Sequence, residues 1–492
     1  MSTAAQSATE HAALGRKAVW KLARRLKRGG SPWALEYFKA CLGPAEVRLG
    51  ALLVSAHAPD PSTLSPKRSA ATDLLHFLLA AGMGLGMLLM VLLRFTSKPA
   101  GTSVGAPGQT LLAVHGEWSN RTRHLLSRVH IDLQPEAIIV LGRPQMSLAD
   151  VARRWKQELP SGLPPLLVPQ SWWAFLLATP ALPVLLARGF RHLRHAPLRP
   201  PLREHAALSF RVMLGSVQQQ WWRLHGGQGA EVLFGHTGLG DTTQLELQMQ
   251  LQNCSTAHVI HGICTGPNFV GFSSRAIFQC GADADQYGAL GHYGQCESPP
   301  AKQPKWLRGS QGVLLLTNLA HPMNPGYQQH GIADELAVIN MAVELANRLG
   351  ADAQPMHWRP HPVIGALPQT EQQALRDRAM ALGLKEVPAA QDWLALAPRM
   401  RWVFTTPSTT LVELLRQGCL PLLLDPQDSV HDGAASRLPL RCKKANEDCQ
   451  RSLEALDSDN DFQAMQLAAW NAVRPADVAP LVRSTATAHF QP

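Results

Sequence analysis

Cysteine is scarce: eight in 492 residues, with no C-x-x-C pair among them. That is too few to staple so long a chain and lacks the usual zinc spacing. A disulfide scaffold and a structural zinc domain are both excluded, and a reducing cytoplasm fits. Aromatic residues are only 6% and do not alternate with basic ones, so nucleic acid is not an expected partner. No apolar run follows the first basic residues, which excludes a secretory signal. No repeat of 20–50 residues is present, which excludes solenoids and propellers. Charged residues are 17%, while 46% of the chain is hydrophobic, enough for real cores and too much for global disorder. Acidic residues are the minority, 36 against 46 Lys and Arg, for a net charge of +10. That balance favours anionic partners: phosphates or an anionic membrane surface.

Two N-terminal features speak for the membrane. Arg16, Lys17, Lys21, Arg24, Arg25, Lys27 and Arg28 are interleaved with Val19, Trp20, Leu22 and Leu26, as in a helix lying on anionic lipid. Residues 74–93 then run without a formal charge between Asp73 and Arg94. As a helix they would measure about 30 Å, the thickness of a bilayer core. A simple crossing would put everything after residue 95 outside the compartment that holds activated nucleotides, so an embedded or peripheral helix is expected. A second apolar run, 172–187, is broken by Pro180 and Pro183. Trp172 and Trp173 open it, and Arg188, Arg191, Arg194, Arg199 and Arg203 follow, a pattern resembling an interfacial anchor.

From residue 110 the pattern becomes strands alternating with helices. Thr110–His115, Ala137–Leu141, 231–235, 257–260 and 276–279 are short apolar runs, with a helical pattern at 243–252. After a break at 297–312, rich in Pro, Lys, Gln and Ser, the theme restarts with runs at 313–317, 356–359, 402–405 and 420–424. Helical patterns cover 334–348, 370–382 and 411–417. Continuous apolar strands between helices indicate parallel sheets covered on both faces. The expectation is α/β: two Rossmann-like, doubly wound domains facing a cleft, with an N-terminal apolar helical region. The boundaries are 1–109 (membrane-associating region and linker), 110–296 (acceptor domain), 297–311 (linker), 312–435 (nucleotide-donor domain) and 436–492 (helical tail).

Candidate chemistry collects after two strands of the second domain. In Trp358-Arg359-Pro360-His361-Pro362 a strand ends in arginine, and two prolines with fixed φ hold a histidine at its C-terminal end. Arg359 offers a forked donor matched to phosphate oxygens. The second signal, residues 405–410, is a Thr/Ser-rich turn between strand and helix. Ser408 or Thr409 is the expected N-cap, with N–H groups facing an anion and Glu413 one turn on for ribose hydroxyls. Together they predict a nucleotide-phosphate site. For a general base the first domain offers Asp241, ahead of Glu117, and His236, in loops that follow strands. The loop 235–241 is glycine-rich but lacks the lysine of a Walker motif. Asp457-Ser458-Asp459 has a D-x-D form, but no apolar strand precedes it, so no metal site is expected.

Arg359-Pro360-His361-Pro362, followed about fifty residues later by strand, Ser/Thr turn, helix with Glu413, glycine and a proline-containing strand, resembles the donor domain of bacterial GT-B-fold surface-polysaccharide glycosyltransferases. That group includes polysialyltransferases, capsule Kdo transferases and CDP-glycerol polymerases. The segment 256–262, Thr-Ala-His-Val-Ile-His-Gly, is similar to the strand ending in His-Gly before the interdomain linker of the capsule enzymes. The resemblance spans residues 230 to 425 or so. It departs in lacking the acidic pair before glycine that supplies the base in several sialyltransferase families. With no metal site expected from the residues, the resemblance implies a transferase with a nucleotide-sugar donor, CMP- or CDP-linked, and no other cofactor. Arg359, His361, Pro362, Ser408, Thr409 and Glu413 would hold the donor, and His261 and Gly262 the acceptor or the domain interface. A polysaccharide or glycolipid acceptor at the cytoplasmic face of the inner membrane completes the expectation. Two other readings stay open: a nucleotide-sugar 2-epimerase-like enzyme, and a membrane-bound interaction protein on a transferase fold that has lost its base.

Overall fold

The strand runs are buried on both faces, as parallel sheets under helices require: all five residues of β2 (Ala137–Leu141) are buried, as is every residue of Pro421–Leu424. The computed structural model describes residues 69–95, 105–115, 136–142, 147–158, 165–195, 202–235, 243–260, 271–291, 293–298, 300–318, 332–350, 355–361, 364–365, 367–388, 391–426, 433–456 and 458–476. The basic run at 16–28 and Glu117, His236, Asp241, His261, Gly262 and Pro362 lie outside the described residues.

The first domain is a seven-stranded sheet of β1 (Thr110–His115), β2, β3 (Leu166–Leu167), β4 (Glu231–Phe234), β5 (Ser255–Val259), β6 (Arg275–Ile277) and β7 (Gln295–Glu297). The spatial order is β3-β2-β1-β4-β5-β6-β7, and every pair is parallel. The second holds β8 (Gln311–Thr317), β9 (Met356–Pro360), β10 (Leu384–Glu386), β11 (Met400–Thr405), β12 (Pro421–Leu424) and β13 (Arg441–Cys442). Its order is β10-β9-β8-β11-β12-β13, again wholly parallel. In each, the chain starts at the middle, winds to one side, returns, and winds to the other. This is the 3-2-1-4-5-6 order of doubly wound folds. The two Rossmann-like domains are therefore present.

Among the described residues of 298–310, which connect them, there is no helix, and Pro300 bridges to Ala476. The second sheet continues past residue 435, where a helical tail is expected: β13 is only two residues long, too short to leave a pattern. Cys442 on β13 forms a disulfide with Cys449, seven residues on, a local staple rather than a scaffold. The chain then crosses back. After the last described helix (Asp459–Val473), Pro475 bridges to Cys280, and Arg416 bonds the carbonyls of Gln279 and Ala476.

A helical layer lies on the first domain. α1 (Ala70–Arg94) buries Phe77, Ala81, Gly84, Leu88, Val91 and Leu92, a helical period of three and four that lays one face on a neighbour. That neighbour is mainly the long helix Leu202–His225. The helices meet so closely at Gly84 that a Cβ there would sit 2.7 Å from the Phe210 nitrogen and 2.9 Å from the Ala206 oxygen. His205, on the long helix, is buried and near His76. Both effects push its pKa down to about 3, so it stays neutral at pH 7. The last turn of α1 enters the domain core: Leu88, Val91, Leu92 and Phe95 have no exposure and share one apolar cluster with β1 and β2.

Candidate functional site

At the centre of the second domain β8 lies between β9 and β11, where the winding reverses. Ligands of open α/β sheets bind at such a switch point, beyond the C-terminal ends of the strands. Register sets Pro360 opposite Thr317, and Thr405 opposite Leu316. His361, Asn318 and the turn beginning at Thr406 therefore emerge at one edge. The strands on either side of β8 are about 10 Å apart, two strand spacings, room for a nucleotide's phosphates.

His361 is exposed, and its carbonyl accepts from the Ile364 N–H at 2.9 Å. Pro360 before it is buried. Trp358, one turn of the pleat earlier, is buried too, and its Nε1–H donates to Thr317 Oγ1 at 3.0 Å, tying β9 to β8. Arg359 points elsewhere: a guanidinium N–H donates to the Val387 carbonyl at 3.0 Å, just past β10. Burial lowers its pKa, with Glu386 acting in the opposite sense. The structure thus brings His361 to the switch-point edge and ties Arg359 toward the outer strand.

The turn after β11 is laced by hydroxyls. Thr405 Oγ1 contacts Thr410 Oγ1 at 2.8 Å, and Ser408 Oγ also meets Thr410 Oγ1. Ser408 Oγ accepts from the Thr410 N–H at 3.2 Å, so its hydroxyl caps the following helix (Thr410–Arg416). Thr409 already has helical dihedrals, and its side chain makes no capping bond. Ser408, Thr409 and Glu413 are all half-buried. The helix has only seven residues, so hydroxyl and N–H groups, rather than a long dipole, give this turn its polarity.

Two residues at this edge are absent from the sequence expectation. Asn318, directly after β8, accepts from Thr406 Oγ1 at 2.7 Å and donates through Nδ2 to the Pro407 carbonyl at 3.0 Å. Its backbone N–H donates to Thr406 Oγ1 at 3.1 Å. It therefore clamps the hydroxyl-rich turn to the central strand. Asp425, directly after β12, is buried and pairs with Arg441 at 2.6 Å. The signal for both was positional: a polar residue at the point where an apolar run stops.

In the first domain the strand quoted for its His-Gly ending is β5, and its inward histidine is His258. This imidazole lies between Tyr293 Oη at 2.9 Å and Glu246 Oε1 at 2.8 Å. Glu246 Oε2 also accepts from the N–H groups of Phe272 at 2.6 Å and Ser273 at 2.9 Å. All of these groups are buried. The trio pins residues 272–273 against the sheet; it is a packing node with satisfied partners. β6 and β7 follow β5, so the His-Gly strand is two strands removed from the linker. At the D-x-D sequence, Ser458 Oγ accepts from the Asp461 N–H at 3.1 Å, capping the last helix, and Asp459 pairs with Arg308 at 2.9 Å. Among the described residues no group of three or more His, Cys, Asp or Glu is placed to hold a metal ion.

No protein-family model matches the chain, and no curated protein matches it in sequence. Among solved structures, it is similar to the S. aureus MnaA–UDP co-structure (11% identity, 75% of this chain and 92% of that one, TM-score 0.41). It is also similar to Acinetobacter baumannii MurG (9%, 75% and 96%, 0.39). A third is the α,α-trehalose-phosphate synthase (UDP-forming) of Burkholderia vietnamiensis (10%, 76% and 95%, 0.44). The fold assignment stands on the strand order and register of the two sheets, not on these likenesses.

Proposed function

We propose that the chain is a metal-independent glycosyltransferase of the two-domain GT-B build. It would move a sugar from a nucleotide-sugar donor to a surface polysaccharide or lipid-linked acceptor. One observation carries this reading: the proline-held His361 and the Ser408–Thr409 turn flank one central strand at the switch point of a Rossmann-order sheet. In this reading His361 and the hydroxyl-rich turn donate to the donor's phosphates, Glu413 accepts from ribose hydroxyls, and Arg359 and Pro362 hold the loop in shape. A base in the first domain (Asp241, Glu117 or His236) takes the proton of the acceptor hydroxyl as its oxygen bonds to the anomeric carbon. The bond from that carbon to the phosphate oxygen breaks, and its electron pair leaves on the nucleotide, where the donors around His361 stabilise the charge. His261 and Gly262 line the acceptor side or the domain interface.

A thermal-shift series with CMP, CDP, UDP and GDP tests the site. A ligand at about 100 times its Kd adds roughly 2.7 kcal/mol. One or more of these nucleotides should raise the melting temperature, equally with and without EDTA, while the phosphate-free nucleosides do not. No shift with any of the four would remove the donor-site reading.

A further inference from the structure

The helical layer on the first domain has an outward side as apolar as its inward one. Along α1, Leu75, Leu78, Leu79, Met83, Met90 and Leu93 are exposed, Leu93 at 71%. They recur at three and four residues, on the side away from the long helix Leu202–His225. A second apolar segment lies beside α1 in the opposite direction: Trp172–Ala178, the short turn Thr179–Ala181 and Leu182–His195. Two contacts fix that direction. Arg194, near the end of this segment, pairs with Asp73 at the start of α1 at 3.2 Å. Gln170, just before the segment, donates to the carbonyl of Phe95, just past the end of α1, at 3.0 Å. Trp172, Trp173, Leu176 and Leu177 are exposed here, Trp173 at 61%. Contiguous exposed apolar area of this kind marks a contact surface.

Charge selects the occupant. On α1 and its antiparallel neighbour the one acid is Asp73, buried and paired with Arg194. The exposed charges are Arg94, Arg188 and Arg191, all positive. A second copy of the chain related by a two-fold axis would set arginines against arginines. A bilayer carrying anionic headgroups meets the apolar centre with acyl chains, the arginines with phosphates, and the paired tryptophans with the headgroup boundary. Geometry selects the depth. Leu88, Val91, Leu92 and Phe95 belong to the core of the first sheet, so a crossing by α1 would empty that core.

We infer that α1 and residues 172–195 form an in-plane docking surface for an anionic lipid bilayer, lying on it without crossing. This goes beyond the transferase reading and does not depend on it. Val91 and Gln170 also pack at Gly142, directly after β2, so docking brings the C-terminal edge of the first sheet toward the headgroups.

Vesicle flotation of the full chain tests this, with phosphatidylcholine alone and with phosphatidylcholine mixed with phosphatidylglycerol. The wild type should float with the mixed vesicles and detach as salt is raised. Leu78→Glu with Leu79→Glu, and separately Arg188→Glu with Arg191→Glu, should each lower partitioning at least about tenfold. Both pairs are exposed, so melting of the free protein should be unchanged. Absence of binding to mixed vesicles would overturn the inference. So would binding unaffected by both variants, which assigns the contact to residues 16–28. A stable wild-type dimer in lipid-free buffer that the leucine variant dissociates would overturn it in favour of a second copy.

Discussion

If His361 contacts the donor phosphates as proposed, alanine in its place weakens nucleotide binding by about 1.5–3 kcal/mol, roughly ten- to a hundredfold. The loss is large because a hydrogen bond to an ionised phosphate is at the strong end of its class. Alanine keeps the loop bond from the Ile364 N–H to the residue-361 carbonyl, and melting of the free variant separates lost binding from lost stability. Titration of wild type and variant with the best nucleotide from the melting series checks it. Equal affinities would mean that the imidazole does not contact the nucleotide, and the interaction-protein reading would gain.

The largest stability effect belongs to a residue outside the proposed chemistry. Glu246→Ala costs about 3–5 kcal/mol. It strands the Phe272 and Ser273 N–H groups and one nitrogen of His258 in a buried setting. Glu246→Gln costs much less, since its carbonyl oxygen still serves both N–H groups and its amide can face the imidazole. Denaturant unfolding of the three proteins checks the order wild type, Gln, Ala. If alanine matched glutamine, the node would hold nothing together.

Much of this architecture was legible in the sequence, for a physical reason. Parallel strands under helices are buried on both faces, so they appear as unbroken apolar runs such as Ala137–Leu141 and residues 313–317. β3, β10 and β13 escaped because two or three residues at a sheet edge carry no such run. The helix Leu202–His225 escaped for another reason: its buried face mixes Ser209, Gln218 and His205 with leucines and tryptophans, which blurs the apolar stripe. At the candidate site, proline spacing around His361 and the clustered hydroxyls at 405–410 were visible because backbone restriction and capping are local properties. Asn318 and Glu246 were not visible. Each acts on partners many residues away, Thr406 and Phe272 among them, and only the fold brings those together. For the same reason the apolar run at 74–93 was seen as one helix, while its antiparallel partner and its half-buried face required the packing.

Hydrogen–deuterium exchange of the full chain, with and without a saturating nucleotide, bears most directly on whether the two loops flanking β8 make one phosphate cradle. Slowed exchange should appear together in the segment following β9, at His361 and beyond, and in the turn and first helical residues from Thr406 to Val412. Protection in one of these without the other, or only in the first domain, would contradict a shared cradle.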